Sequence, residues 1–330
     1  MEESTKRLVK GLKAAGLSDQ AIDAAWPGWW SEDAEASESA RAELRFVLAR
    51  KLGLAPEPLL GERVEFVWKD DARFKNLSTE DAAEQAALAS FGVAIGRILI
   101  RATDVGGKIN GISALDLRAA ILQNRPVVDL VSLIGFCWAL GVPVIHLRVF
   151  PLAAKSMRAM VVEVSGRYAI LLGRDASYPA PIAFTLAHEI GHAALGHIGG
   201  GKAIVDLGDA DLVDEDPQEV EANEYALSVL TGTIRPEFAI NTTNYSARSL
   251  AEAVIVAGRQ HNIDAGTLAL CVGHLHENWA VANAALRHIY PAKTEMWRGI
   301  NQIAERQIKW AALNDETSDY LRVLMSGFDG

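Results

Sequence analysis

Residues 181–192 read Pro181-Ile182-Ala183-Phe184-Thr185-Leu186-Ala187-His188-Glu189-Ile190-Gly191-His192. Proline stands near the predicted first turn, where its missing N–H costs least, and apolar residues continue through Ile190 and Leu195. The segment therefore predicts one helix, closed by Gly199, Gly200 and Gly201. Positions four apart on a helix lie one above the other, so the imidazoles of His188 and His192 reach a single metal ion. Glu189 sits about 100° further round, where a carboxylate holds a metal-bound water rather than the metal. Without a common partner, these polar groups on a buried helix would cost about 1–3 kcal/mol for each one left unsatisfied.

A catalytic zinc needs three protein ligands and one open position. In the metzincin pattern a glycine follows the second histidine by three residues and the third ligand follows by six; Leu195 and Ile198 occupy those places here. His197 misses by one and lies about 180° around the helix from His188, so it reads as a helix-end or surface histidine. A better third ligand lies in Asp216-Pro217-Gln218-Glu219-Val220-Glu221-Ala222-Asn223-Glu224-Tyr225-Ala226, which opens a second helix. Its apolar face is Ala222, Tyr225, Ala226 and Val229, and Glu219 and Asn223 stand one turn apart on a neighbouring face. Glu219 reads as the ligand and Asn223 as an amide that orients a ligand or the water. The competing reading makes Asp216, Pro217 and Glu219 an N-cap, a first-turn proline and a capping-box carboxylate. Glu221 and Glu224 read as solvated helix charges.

These residues resemble the ImmA/IrrE family of metallopeptidases, marked by a His-Glu-x-x-His helix followed by a Glu-x-Glu-Ala-Asn-x-Phe-Ala helix. The second run here is Glu219-Val220-Glu221-Ala222-Asn223-Glu224-Tyr225-Ala226, with tyrosine in place of phenylalanine. Upstream, Gly141 to Ile145 looks like the family's first strand, and Ala159 to Val164 with Tyr168 to Leu172 like the hairpin that follows. The match covers roughly residues 114–232. It implies a zincin-like domain with His188, His192 and Glu219 as ligands, Glu189 as general base and Asn223 as support. It also implies a metal-dependent endopeptidase that cleaves a helix-turn-helix transcriptional repressor. Zinc is the expected ion, with Mn2+ as another divalent candidate; zinc lowers the pKa of a bound water to about 7, and Glu189 takes its proton. Tyr225, His274 and His276 are candidate oxyanion donors, each read first as structural. The alternative is a non-catalytic, metal-stabilised module that binds and sequesters a transcription regulator.

The chain has 330 residues, half of them hydrophobic, and a formal net charge of −10. That length supports two or three domains, and the charge disfavours general attraction to nucleic acid or membrane. Cys137 and Cys271 stand in apolar helical stretches and read as buried thiols, which suggests a reducing cytoplasm. The N-terminal residues lack the apolar core of a secretory signal. The run Leu130 to Ile145, interrupted by Gly135, Gly141 and Pro143, reads as a buried helix leading into a strand.

The expected fold is α+β and mostly helical: a helical N-terminal region (1–105), the metallopeptidase domain with a small sheet (110–235) and a helical C-terminal region (236–330). Predicted flanking helices are Lys6 to Ala15, Asp19 to Ala25, Glu38 to Leu52, Thr79 to Arg101, Ser249 to Gln260, Ala265 to Glu277 and Met296 to Leu313. Trp26-Pro27-Gly28-Trp29-Trp30 reads as a packed turn, and 61–76 as an extended linker. Ser113 to Asp116 reads as a capped helix start that opens the peptidase domain. Asp206, Asp209, Asp211, Asp214, Glu215 and Asp216 read as a solvated acidic loop. The turn 260–264 has a helix-turn-helix flavour, but no Lys or Arg occurs from 260 through 286, so direct DNA binding is not expected.

Overall fold

The structure is a computed structural model that describes residues 3–68, 72–75, 82–152, 157–198, 203–206, 216–236 and 245–328. Helices α1 (Glu3–Ala14), α2 (Asp19–Ala25), α3 (Glu32–Ala36), α4 (Glu38–Leu52) and α5 (Pro56–Leu60) open the chain. Strand β1 (Ala72–Lys75), the long helix α6 (Ala82–Arg101), α7 (Ala114–Leu122) and α8 (Leu130–Ala139) follow. Next come β2 (Val144–His146), β3 (Ala159–Val164), β4 (Arg167–Leu172), α9 (Pro179–Leu195), β5 (Ala203–Asp206) and α10 (Pro217–Thr231). The chain continues through α11 (Ala247–His261), α12 (Ala265–Leu275), α13 (Trp279–Ile289), α14 (Met296–Gln307), a 3-10 turn at Trp310–Ala312 and α15 (Asp315–Ser326). The class is α+β and mostly helical.

Local chemistry sets many of these boundaries. Ser18, Ser31, Ser37 and Ser113 each accept a hydrogen bond from a backbone N–H three residues on, satisfying a donor that the first helical turn leaves orphaned. At the end of α4, Gly53 adopts φ 73°, and a Cβ there would lie 2.3 Å from the Ser90 carbonyl oxygen of α6. Glycine alone meets both demands. The predicted helix from Met296 to Leu313 stops early because Ile308 turns extended into the core and the Lys309 N–H bonds the Ala102 carbonyl at 2.8 Å. Helices α3, α5, α13 and α15 and strand β5 were not expected from the sequence, and β1 falls within the stretch 61–76 read as a linker but pairs with β5. Thr79 to Asp81, Gly199 to Gly201 and the acidic positions Asp209, Asp211, Asp214 and Glu215 lie outside the described residues; Asp206 ends β5 and Asp216 caps α10.

The sheet has the order β1-β5-β3-β4-β2, with β1–β5 and β4–β2 parallel and β3 antiparallel to both its neighbours. Val161 at its centre pairs with Ile170 on one side and Ile204 on the other. Helices α6 and α9 both pack on β3 and β4. Residues Ala159 to Val162 are all buried, so both faces of β3 are covered. By length and hydropathy α6 would span a membrane, but 78% of its apolar window is buried inside the fold, which makes it a core helix here. The outer edge of β2 is closed by one side chain. Asn301 of α14 accepts from the His146 N–H at 2.7 Å and donates to the His146 carbonyl at 2.7 Å, so an amide replaces the missing neighbouring strand.

One continuous hydrophobic core runs from Leu8 in α1 to Met325 in α15. Trp26 and Trp30 pack against it while Trp29 stays exposed. Within the predicted linker, Phe66 bridges Leu54 and the Ala55 N–H bonds the Glu65 carbonyl at 2.8 Å. Lys51, almost fully buried, donates to the Ala25 carbonyl at 3.1 Å and pairs with Glu316 at 3.0 Å, joining α2, α4 and α15. Cys137 is buried and Cys271 half-buried, both as free thiols; burial pushes the Cys271 thiol up to about 12.

A second, smaller core joins α11, α12 and α13 through Leu250, Val254, Leu268, Val272 and Leu286. Arg118 of α7 links it to the rest. Its guanidinium donates to the carbonyls of Val229 and Leu230 at 3.1 and 2.8 Å, and to those of His261 and Asn262 at 3.3 and 2.8 Å. One buried cation thus serves the carboxyl ends of α10 and α11, where the helix dipoles favour positive charge.

Gly53→Ala is expected to lower stability by about 2–4 kcal/mol, combining left-handed strain with overpacking against backbone, read by urea unfolding. Arg118→Met, which keeps the aliphatic bulk but strips the donors, should cost about 2–4 kcal/mol in the same assay. An unchanged midpoint would mean that solvent already satisfies those carbonyls.

Candidate metal centre

Helix α9 begins with Pro179 at its first turn, has Pro181 close behind, and ends at Gly196, whose φ of 73° reverses the chain. The stop therefore falls three residues before the glycine run expected to provide it. His188 and His192 project one turn apart from α9, as the i, i+4 spacing requires, and are 6% and 1% exposed. Opposite them, α10 is capped by Asp216, whose side chain accepts from the Gln218 N–H at 2.9 Å, with Pro217 in the first turn. The capping reading is thus half right. Asp216 and Pro217 start the helix, while the Glu219 carboxylate turns to the histidines.

The Glu219 Oε1 atom lies 2.9 Å from His192 Nε2, and its Oε2 lies 3.2 Å from His188 Nε2. The two Nε2 atoms are 3.0 Å apart. His188, His192 and Glu219 are all buried, and one donor atom from each falls within 4.8 Å of the others. Two helix pairs of i, i+4 residues therefore face each other. His188 and His192 meet Glu219, and Asn223 Oδ1 reaches His188 Nδ1 at 2.9 Å from a more exposed position. The close approach is set at Gly191, where a Cβ would stand 3.2 Å from both the Ala222 carbonyl oxygen and Tyr225 Cβ of α10.

The donor set fits a metal ion. An amide oxygen only accepts, so His188 Nδ1 carries its proton and, in the neutral ring, Nε2 presents a lone pair to the cluster. Burial pushes the Glu219 carboxyl up, and protonated His188 and His192 would outweigh that by hydrogen bonds and charge, holding it well below the usual range; with both rings neutral, that compensation has to come from a cation. Converging electron pairs in a buried site repel one another and cost several kcal/mol to desolvate unless a cation joins them. Tetrahedral zinc, with bonds of about 2.0–2.2 Å, sets its ligand atoms about 3.3 Å apart, close to the separations seen here. Imidazole nitrogen points away from Mg2+ and Ca2+, which take oxygen ligands, and toward zinc and its transition-metal neighbours. Glu189, fully buried, lies between the two histidines on α9 and outside the ligand set.

Two further residues join the centre that the sequence did not put there. His197 Nδ1 lies 2.9 Å from His192 Nδ1, and His197 Nε2 lies 2.9 Å from Glu221 Oε2. His197 is the helix-end histidine expected and stands outside the group that could hold a metal, but its placement about 180° around from His188 assumed a helix continuing past residue 195. Gly196 ends it, and the His197 N–H returns to the His192 carbonyl at 3.0 Å. A glycine one residue before the histidine was the available signal. Of the candidate oxyanion donors, Tyr225 donates its hydroxyl to the Ile112 carbonyl at 3.0 Å, His274 lies beside Trp279, and His276 beside Tyr245. None of the three belongs to the ligand cluster.

No family model, curated protein or solved structure matches this chain, so its functional reading rests on these residues.

Gly191→Val would force α10 outward from α9. The expected result is at least about a tenfold loss of Zn2+ affinity in chelator competition, accompanied by destabilisation of about 1–3 kcal/mol.

Proposed function

We propose that this chain is a metal-dependent endopeptidase of the ImmA/IrrE type, with a zincin-like centre between α9 and α10. The observation that carries the reading is the convergence of His188, His192 and Glu219, with Glu189 between the two histidines on the same helix. A histidine pair with an intervening glutamate and a third ligand from a following helix is the arrangement expected for metal-assisted hydrolysis.

The residues divide the work. His188, His192 and Glu219 hold the ion, which as zinc or another divalent metal supplies Lewis acidity and an acidified water. The Glu189 carboxylate accepts the proton from the attacking water and returns it to the departing amine nitrogen. Its burial keeps competing solvent away from that carboxylate. Asn223 fixes the His188 ring through Nδ1. The substrate class proposed is a helix-turn-helix repressor, on the strength of the motif resemblance; the net charge of −10 is compatible with a basic partner.

Glu189→Gln preserves size and leaves the ligands intact. It should retain bound metal and thermal stability while lowering proteolysis by about 10²-fold or more, as expected for loss of a general base. A search for new protein termini in host cells expressing wild type or Glu189→Gln, before and after stress, supplies the readout. Termini confined to the wild type would identify the substrate. A folded, metal-loaded protein that holds a regulator without generating termini would replace this reading with a sequestering module.

A further inference from the structure

The hydrogen bonds around His192 determine one another in sequence. Glu221 is a carboxylate and only accepts, so His197 Nε2 donates to it across 2.9 Å. The other nitrogen of a neutral His197 is then a lone pair, and His192 Nδ1 must donate to it across 2.9 Å. His192 Nε2 is thereby left as the lone pair that faces His188 and Glu219. The His197 side chain is 5% exposed, so water does not easily substitute for either bond, whereas Glu221 is 58% exposed and its charge is screened.

We propose that His197 and Glu221 are positioning residues for the metal ligand His192, locking its tautomer and ring orientation and strengthening its Nε2 as a donor. Each histidine ligand then has its own orienting partner. Asn223 serves His188 from one turn beyond Glu219, and Glu221 serves His192 through His197. All three α10 residues, Glu219, Glu221 and Asn223, converge on the same pair of imidazoles, the first directly and the others through Nδ1. The role of His197 depends on the chain reversal at Gly196, which brings a residue five positions beyond His192 back beside its ring.

This inference rests on the metal reading, and the test separates the two. Zn2+ affinity of the full chain is measured by competition with a chromophoric chelator, and the visible spectrum of the Co2+-loaded chain reports ligand geometry. His197→Phe removes the acceptor and should weaken Zn2+ binding about 10- to 100-fold with a shifted Co2+ spectrum. His197→Asn places an amide oxygen near the lost Nδ1 and should recover affinity to within about fivefold of wild type. Glu221→Gln, at the solvated end, should cost only about two- to fivefold. Circular dichroism of the metal-free variants checks that each is folded. If His197→Phe misfolds, the His197→Asn and Glu221→Gln results decide. Wild-type affinity and spectrum in folded His197→Phe, or equal losses in His197→Phe and His197→Asn, would overturn the positioning role. Failure of the wild type itself to bind Zn2+ or Co2+ would instead overturn the metal reading.

Discussion

How closely α10 lies against α9 governs the whole centre, and Gly191 sets that approach. A glycine in a helix interior gives up about 0.5–1 kcal/mol relative to alanine. Here the missing side chain lets the Ala222 backbone and Tyr225 come within van der Waals reach of α9. From that separation Glu219 spans both histidines, and no longer side chain is needed. The geometry of the candidate ligand set is therefore written partly in an absent methyl group.

The rest of the fold holds α9 still. Its helix packs on β3 and β4, whose register is fixed on both sides of Val161, and Asn301 seals the far edge at His146. The loop after β2 is anchored to α2, with Ser18 donating its hydroxyl to the Phe150 carbonyl at 2.6 Å. On the other side, Arg118 gathers the ends of α10 and α11 around one guanidinium. Packed elements on these two sides suit a site whose candidate ligands have to converge closely.

Those features differ in how far they could be read from the chain. Helix starts capped by serine or aspartate, the β3–β4 hairpin and the i, i+4 pairs on α9 and α10 follow from local patterns, and the structure places them as the patterns require. Long-range pairings leave no such mark. The parallel partners of β1 and β2, the amide of Asn301 beside β2 and the reach of Arg118 to residue 262 depend on tertiary placement alone. His197 is a middle case: the helical wheel put it on the wrong side, but Gly196 breaks the wheel one residue earlier. Periodicity arguments hold only as far as the helix does.

The Lys51 ammonium, seated among the Ala25 carbonyl, the Glu316 carboxylate and the Tyr320 ring, carries one further consequence. Tyr320 also donates to the Lys51 carbonyl at 2.9 Å, so α15 contributes both charge balance and bulk to a core that α2 and α4 began. During synthesis those first helices emerge some 260 residues before the segment that completes them, since Lys51 and Tyr320 are 269 positions apart. Until then a cation and an apolar face stand open to solvent, the kind of transient surface that chaperones shield. The α2–α4 pair therefore gains its full set of contacts only once α15 is in place.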